Sequence, residues 1–367
     1  MKRLVYLSPV PWSSFAQRPH RFVEWFRRRT GGDVLWVEPY PTRLPEWGDF
    51  RRKRPAGALS GESVVPPWLK LLRPRALPIE PFAGARLLHG TIWRDVFTAV
   101  EHFVAQGDGM VVVGKPSELA LQILGRVEVR SVYDAMDDFP AFYRGVSRAS
   151  MAKREDALAR RVERILVSSS SLRARFQQHH AKKLTLALNA CETELMPPVV
   201  ARGQPSGRAI LGYVGTIGRW FDWPLVLELA RVNPEVDVHV VGPLFVPPPA
   251  GLPSNVRLLP ACDHRTAIAL MSGFSAGLIP FRKTELTESV DPIKYYEYVA
   301  LGLPVLTSCF GEMCGRIGAP GVLSLEEHGD LARVVQLALA FRPDPAQTEA
   351  FRQSNGWDAR FDQTKLI

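Results

Sequence analysis

The feature that most constrains the fold is a regular alternation of short β-rich runs and amphipathic helical stretches. In the first half, the β-rich runs include residues 3–8, 33–37, 109–113 and 164–167, and helical stretches separate them. The alternation restarts at residue 209 and continues through the second half. Such a pattern predicts parallel sheets covered by helices on both faces. We therefore expect an α/β chain with two Rossmann-like domains and a ligand cleft between them, at the carboxyl ends of the strands.

The domain boundaries follow from a polar, turn-rich stretch near the middle of the chain. A length of 367 residues suits two domains of ordinary size. We predict one domain over residues 1–190 and a second over residues 191–345. Residues 346–367 are expected to be helical, with Trp357 and Phe361 spaced to form one buried stripe.

The net charge of +9 is unevenly distributed along the sequence. Residues 1–190 hold 31 Lys and Arg against 18 Asp and Glu, a net of +13, whereas the remainder holds 15 against 19, a net of −4. A basic half suggests an anionic partner, such as nucleic acid, an anionic membrane surface or a phosphorylated acceptor. Basic residues 51–54 follow Trp47, and Lys70, Arg73 and Arg75 lie near Trp68, which suits an anionic bilayer surface. No nucleic-acid-binding motif is present, so nucleic acid is not an expected partner.

Hydropathy and cysteine content predict a cytoplasmic protein. No stretch approaches the roughly 18 uninterrupted apolar residues of a membrane span. The apolar start of the chain is broken by Pro9 and Pro11, so it is interpreted as a first core strand rather than a signal peptide. The four cysteines include Cys309 and Cys314 and are too scattered for a disulfide framework. We expect reduced thiols and no zinc site.

Residues 291–308 (DPIKYYEYVALGLPVLTS) carry the most informative pattern. A helix is predicted to begin near Pro292, with Lys294 and Glu297 on one face and Tyr298 one position further round. Helix N-termini attract phosphate, and Lys294 adds a cation there. Glu297 could accept hydrogen bonds from the hydroxyls of a ribose. The alternative is an ordinary surface helix on which Lys294 and Glu297 form an ion pair without a role in binding.

A glycine-bearing turn follows the first strand of the second half, at residues 213–219 (YVGTIGR). Gly215 and Gly218 would let the backbone approach a diphosphate or a sugar closely, and Arg219 could pair with phosphate.

Two further strands of the same half end at positions predicted to line the same site. Gly242 ends one strand, and Pro280 and Phe281 end another, where they could contact a nucleotide base.

These segments resemble the nucleotide-binding region of GT-B glycosyltransferases, in which a helix carrying a Glu is followed by Gly-x-Pro-Val. The resemblance is to family-4-like enzymes of the teichuronic-acid-biosynthesis type, and more distantly to the xanthan glucuronosyltransferase, which has Lys in the place of Lys294. It implies two domains facing across a cleft, acceptor domain first and donor domain second, with the last helix crossing back to the first domain. Family 4 usually has a second Glu at the place of Ser289, so the sequence leaves inversion and retention of the anomeric configuration open.

The resemblance puts acceptor-side chemistry after a strand of the first half, at Asp134, Asp137 and Asp138. An inverting transferase needs a base for the acceptor hydroxyl, and neighbouring carboxylates raise each other's pKa. Asp138 or Asp137 is the expected base and Asp134 a supporting or acceptor-binding residue. A helix cap or a two-ligand metal site at Asp134 and Asp137 are the alternatives, and no metal is expected.

The turn after the first strand supplies three further candidates. Gln17 and Arg18 are expected to contact the acceptor or an anion. His20 occupies roughly the place where one inverting GT-B family carries its catalytic base, which makes it an alternative base. The alternative is that this turn only caps the start of a surface helix.

The resemblance implies a hexosyltransferase-type glycosyltransferase. Its donor would be a nucleoside-diphosphate sugar of the UDP or GDP type, with no cofactor. Its acceptor would be a hydroxyl of a lipid-linked or polysaccharide precursor of cell-surface glycans, and the basic half would contact the inner face of the membrane. Two alternatives remain: a sugar-nucleotide 2-epimerase of the same fold, and a non-catalytic sugar-nucleotide-binding scaffold of a glycan assembly complex.

Overall fold

A computed structural model describes residues 1–42, 64–77, 79–82, 85–199, 207–326 and 330–367. These residues form two compact units. The described residues up to Leu188, together with Phe361–Ile367, make up the first unit, and those of Asn189–Arg360 make up the second. Trp47 and the basic residues 51–54 lie outside the described residues.

The first unit contains a seven-stranded parallel sheet. Its strands are β1 (Lys2–Leu7), β2 (Asp33–Val37), β3 (Leu69–Leu72), β4 (Asp108–Val113), β5 (Arg130–Ala135), β6 (Arg164–Val167) and β7 (Leu184–Leu186), in the order β3-β2-β1-β4-β5-β6-β7. The central strands are buried on both faces, which is why their sequences are continuous apolar runs such as MVVV in β4. The order reverses beside β1, so the ligand-binding position expected of such a sheet lies at the carboxyl ends of β1 and β4.

Helices cover both faces of this sheet. They are α1 (Arg18–Thr30), α2 (Ala85–Ile92), α3 (Arg94–Ala105), α4 (Glu118–Leu124), α5 (Gly145–Arg161) and α6 (Ser170–His180). Gly31 caps the C-terminus of α1, and its φ of 64° is the left-handed conformation that favours glycine. Its aromatic face includes Phe22 and Trp25, which pack against the buried ring of Phe361 with centroid distances of 5.1 and 5.4 Å.

The second unit contains a six-stranded sheet in which every pair is parallel. Its strands are β8 (Ile210–Val214), β9 (Asp237–Val241), β10 (Val256–Leu259), β11 (Ala276–Ile279), β12 (Val305–Thr307) and β13 (Val322–Ser324), in the order β10-β9-β8-β11-β12-β13. Its helices are α7 (Trp223–Val232), α8 (His264–Ser272), α9 (Glu285–Glu288), α10 (Ile293–Ala300), α11 (Leu331–Ala340), α12 (Pro345–Asn355) and α13 (Trp357–Asp362), the last of which ends in the first unit. The strand order reverses between β8 and β11, which places the expected ligand position at their carboxyl ends.

The predicted fold class is confirmed: the chain has two parallel-sheet α/β domains. Within the described ranges, no helix combines the length and the apolarity needed to cross a bilayer.

The expectation that all thiols are reduced is wrong for one pair. Cys309 and Cys314 are joined by a disulfide in the structure, with their Cα atoms 4.5 Å apart. A single turn of 3₁₀ helix, Gly311–Met313, brings the two residues together. Cys191 and Cys262 are free.

Candidate functional site

Two glycines form the floor of the candidate site in the second unit. Gly215 follows β8 and Gly242 follows β9, and both have positive φ angles, 150° and 139°. The Gly215 N–H donates to the carbonyl oxygen of Val241 at 2.8 Å, which holds the two turns together. A Cβ at Gly242 would overlap the carbonyl oxygen of Gly215. Only glycine therefore allows these two turns to lie against each other at the carboxyl edge of the sheet.

Helix α10 delivers Lys294 to the same turn. The ammonium Nζ lies 5.4 Å from the ring centroid of Tyr213, a cation–π contact. The end of the Lys294 side chain passes over Gly215 so closely that a Cβ there would overlap Cε. The sequence predicts Lys294 and Gly215 as separate donor-binding residues, and the structure brings them together.

Lys294 is a half-buried cation near the start of α10. Burial lowers the pKa of Lys294, and Glu297 partly opposes that effect. No carboxylate of the described residues lies within ion-pair distance of its ammonium. A desolvated cation of this kind, beside open backbone at the first turn of a helix, is suited to binding an anion.

Glu297 lies one turn further along α10 and is buried. Its Oε1 faces Nε2 of His264 at 3.0 Å, and Nδ1 of the same imidazole faces Oε2 of Glu192 at 3.2 Å. Neither His264 nor Glu192 is among the residues predicted from the sequence. His264 follows Asp263, whose side chain caps α8 by accepting from the Thr266 N–H, so the local pattern is only that of a helix start.

Tyr298 and Phe281 belong to the core beneath the site. Tyr298 is fully buried, and its hydroxyl donates to the carbonyl oxygen of Gly212 at 3.1 Å. Phe281 packs against Phe310 and Tyr213 with centroid distances of 5.0 and 6.0 Å. Both residues therefore shape the floor of the site, and direct contact of either with a donor stays a prediction.

Of the other predicted donor residues, Gly218 and Arg219 lie in the loop between β8 and α7, and Pro280 directly follows β11. The carbonyl oxygen of Pro280 accepts from the N–H of Asp222, which ties the loop to that strand. A Cβ at Gly218 would come within 2.6 Å of the Trp220 ring. Arg219 is exposed to solvent and has no ion pair within the part of the chain that the structure describes.

In the first unit, Arg18 and Asp134 form a buried ion pair. Arg18 Nη2 lies 2.8 Å from Asp134 Oδ1, and the two side chains are 3% and 0% exposed. Tyr6 donates its hydroxyl to the same carboxylate at 3.0 Å, and Arg18 also donates to the carbonyl oxygen of Ala187 at 2.7 Å. Contact of Arg18 or Asp134 with an acceptor stays a prediction.

His20 is buried in an aromatic pocket between Trp12 and Trp36, with ring centroids 5.1 and 4.9 Å away. Its Nδ1 accepts from the backbone N–H of Gln17 at 3.2 Å, so Nε2 carries the proton and donates to the carbonyl oxygen of Trp12 at 3.2 Å. Burial lowers the pKa of His20 to about 4. Since both ring nitrogens are engaged, this geometry does not favour His20 as a base.

The two remaining carboxylates differ in their surroundings. Asp138 is ion-paired with Arg175, with Nη1 and Oδ1 2.8 Å apart. Asp137 follows β5 at the carboxyl edge of the sheet, is partly accessible, and has no side-chain hydrogen bond to any described residue. Burial raises the pKa of Asp137 to about 7; Arg18 opposes the rise, while Asp134 and Asp138 add to it. A carboxylate with a pKa near neutrality suits proton transfer at physiological pH.

The described residues contain no group of three His, Cys, Asp or Glu side chains placed to hold a metal ion.

Comparison of the sequence with protein-family models finds no match, and comparison with curated proteins finds none either. Solved structures do match over the full length. HepE of Anabaena, solved in complex with UDP, has a TM-score of 0.63 at 11% identity and covers 99% of this chain and 98% of its own. The lipopolysaccharide outer core galactosyltransferase WaaB, in its apo form, has a TM-score of 0.59 at 10% identity, with both chains fully covered. A trehalose-6-phosphate protein of E. coli bound with UDP-2-fluoro glucose has a TM-score of 0.62 at 12% identity, covering 100% and 99%. The chain therefore has the fold of GT-B glycosyltransferases.

Proposed function

We propose that this chain is a glycosyltransferase of the hexosyltransferase type. It moves a sugar from a nucleoside-diphosphate sugar of the UDP or GDP type to a hydroxyl of a lipid-linked or polysaccharide acceptor in cell-surface glycan biosynthesis. Proteins with the same fold have been solved with UDP and UDP-glucose bound, which supports this donor class. The resemblance to family-4 enzymes of the teichuronic-acid type, carried by residues 291–308, supports this acceptor class.

The observation that carries the proposal is the half-buried Lys294 cation, which lies over Gly215 and has no carboxylate partner among the described residues. A diphosphate placed there would gain the Lys294 charge, the N–H groups of the first turn of α10, and the bare backbone of the glycine turns. The same contacts strengthen as the diphosphate leaves, because negative charge accumulates on it in the transition state.

On the acceptor side, we assign the base to Asp137 in an inverting reaction. The acceptor oxygen attacks the anomeric carbon, the bond from that carbon to the diphosphate breaks, and the hydroxyl proton passes to the Asp137 carboxylate. Asp137 is favoured over Asp138 because Asp138 is already engaged by Arg175. The step needs no metal and no redox cofactor.

A surface on the first unit supports peripheral contact with an anionic membrane at the cytoplasmic face. This apolar–basic patch consists of exposed side chains on α2 and the segment before it: Arg73, Arg75, Leu77, Leu88 and Ile92. Two hydrogen bonds hold the segment against α2 and the residue after it, one from the Leu77 N–H to His89 Nε2 and one from Trp93 Nε1 to the carbonyl oxygen of Arg75. Exposed leucine and isoleucine beside arginine suit an anionic bilayer surface.

Sedimentation with vesicles tests this contact. The protein should sediment with vesicles rich in phosphatidylglycerol and not with phosphatidylcholine alone, and Leu88→Glu should weaken the binding. Equal binding of the variant and the parent protein would remove the patch from the proposal.

A screen of UDP-, GDP- and dTDP-sugars tests the function itself, with thermal shift and turnover as its two readouts. A transferase should be stabilised by its donor and release nucleoside diphosphate faster when a lipid-diphosphate-linked sugar is added. An altered sugar nucleotide formed without any acceptor would identify an epimerase instead. A bound donor that never turns over would identify a binding module.

A further inference from the structure

His264 lies between two carboxylates in the second unit. Its Nε2 is 3.0 Å from Glu297 Oε1, and its Nδ1 is 3.2 Å from Glu192 Oε2. The imidazole begins helix α8, Glu192 precedes the 3₁₀ turn Thr193–Leu195, and Glu297 is on α10. The three residues thus join three separate elements through one ring.

This geometry favours the doubly protonated form of the ring. A carboxylate oxygen only accepts hydrogen bonds, and a neutral imidazole has only one N–H. Both contacts can be hydrogen bonds at the same time only when His264 is the imidazolium cation. Deprotonation of the ring would turn a lone pair toward one of the two carboxylates.

The bridge also constrains how Glu297 meets a ligand. His264 holds Oε1 of Glu297, whereas no described residue donates a hydrogen bond to Oε2. Free rotation of the carboxylate is restricted by this bond and by the burial of the side chain. One oxygen is therefore anchored and the other is available to a hydroxyl donor.

Other charged and titratable groups face Glu297. Lys294 lies one turn before it on α10. The buried thiol of Cys191 has its pKa raised to about 12, chiefly by burial and further by the charge of Glu297. Arg352 of α12 acts on that thiol in the opposite direction. None of these groups donates to Oε2, so His264 is the group whose titration changes the anchoring of Glu297.

We propose that His264 is a positioning residue, which as a cation orients Glu297 so that Oε2 accepts from the ribose hydroxyls of the donor nucleotide. This rests on the proposed function, in which Glu297 meets that ribose. It predicts that recognition of the ribose depends on pH: it is strong while His264 is protonated and weakens as the pH rises and the ring loses its proton.

The test compares UDP with 2′-deoxy-UDP, which lacks one of the two hydroxyls. Wild-type protein should bind UDP about tenfold more tightly than the deoxy analogue, the value of one hydrogen bond to a charged group. His264→Gln should reduce this preference severalfold, because it weakens UDP more than 2′-deoxy-UDP, which keeps only the other hydroxyl. The preference of the wild type should also shrink as the pH is raised from about 6 to about 9.

Glu192→Gln provides a second variant, since it removes the far carboxylate without altering Glu297 or the ring. It should shift the loss of preference to lower pH because the imidazolium loses the charge of the Glu192 carboxylate. His179→Gln is the matched control, an exposed histidine of the first unit, and should change nothing.

The outcomes separate this inference from the proposed function. A wild type without preference for the hydroxyl, or a preference unchanged in His264→Gln, overturns the role of His264 even if UDP binds through Lys294. A His264→Gln variant that weakens both nucleotides equally shows a purely structural histidine and also overturns it. Failure of the wild type to bind any nucleoside diphosphate contradicts the proposed function as well.

Discussion

Replacing Lys294 by methionine removes one charge from the candidate donor site and leaves its shape nearly intact. Methionine keeps an unbranched stem that can still pack over the Tyr213 ring and Gly215. The variant therefore isolates the electrostatic contribution of the ammonium. We expect it to weaken binding of the donor nucleotide and to stabilise the protein without ligand, two effects of opposite sign.

The expected loss of affinity follows from the contact that the ammonium would make. A hydrogen bond to a charged group contributes about 1.5–3 kcal/mol, which corresponds to about a 10- to 100-fold change in Kd. The gain in stability follows from the lowered pKa of Lys294. The folded state releases this proton more readily than the unfolded state, so the Lys294 charge destabilises the fold at any pH below the folded-state pKa. The free energy of unfolding then rises as the pH increases from that pKa toward 10.5, the pKa of the lysine in the unfolded chain. At neutral pH the uncharged methionine avoids this cost.

Titration calorimetry with UDP or GDP, whichever binds the wild type more tightly, gives the affinity, and thermal unfolding without ligand gives the stability. Arg333→Met is the matched control because it removes an exposed cation from α11 of the same unit. It should leave both quantities unchanged. Equal affinities for Lys294→Met and wild type would refute the reasoning, and so would an equal loss in the Arg333 control.

Three further perturbations test the remaining parts of the account. Gly215→Ala should weaken nucleotide binding at least as much as Lys294→Met in the same calorimetric titration, because a Cβ there takes the place of the Lys294 side chain and the positive φ disfavours alanine. Asp137→Asn should lower kcat by about 100-fold or more without changing donor affinity. In the wild type, kcat/KM should rise with pH through about 7 as the Asp137 carboxyl loses its proton, and a flat pH profile would exclude Asp137 as the base. Arg18→Met should cost roughly 3–5 kcal/mol in denaturant unfolding because Asp134 is left charged and buried, and an unaffected stability would show that the pair is not structural.

Much of the fold can be predicted because its elements are local. Strand β4 is buried on both faces, and a strand in that position needs apolar side chains on both sides, so its sequence is the continuous apolar run MVVV. Strand β10 (VRLL) is not predicted because its alternation is short and its flanks are rich in proline and polar residues. The sequence of residues 86–106 predicts one helix, whereas the structure has two, α2 and α3, separated at Trp93. Tryptophan, unlike glycine or proline, does not indicate the end of a helix, so the sequence does not predict this separation.

The candidate sites are only partly predictable, because their decisive contacts join residues far apart in the chain. The Lys294 helix and the Gly215 turn each have a local signature, so the sequence indicates both. Arg18 and Asp134 also have the pattern of binding residues, yet they form a buried ion pair with each other across 116 positions of sequence. A local sequence pattern cannot predict an ion pair between residues so far apart in the chain. For the same reason, His264 has only the local pattern of an ordinary first residue of a helix.

The central claim is that the second unit binds a nucleoside diphosphate where α10 meets the turn after β8. Hydrogen exchange with and without a saturating nucleoside diphosphate tests it most directly, since it locates the ligand on the backbone. We predict slower exchange in residues 213–219 and 291–297, and in Lys294→Met this protection should be lost at the same ligand concentration. Binding that leaves both segments unprotected, or that protects only the first unit, would contradict the claim.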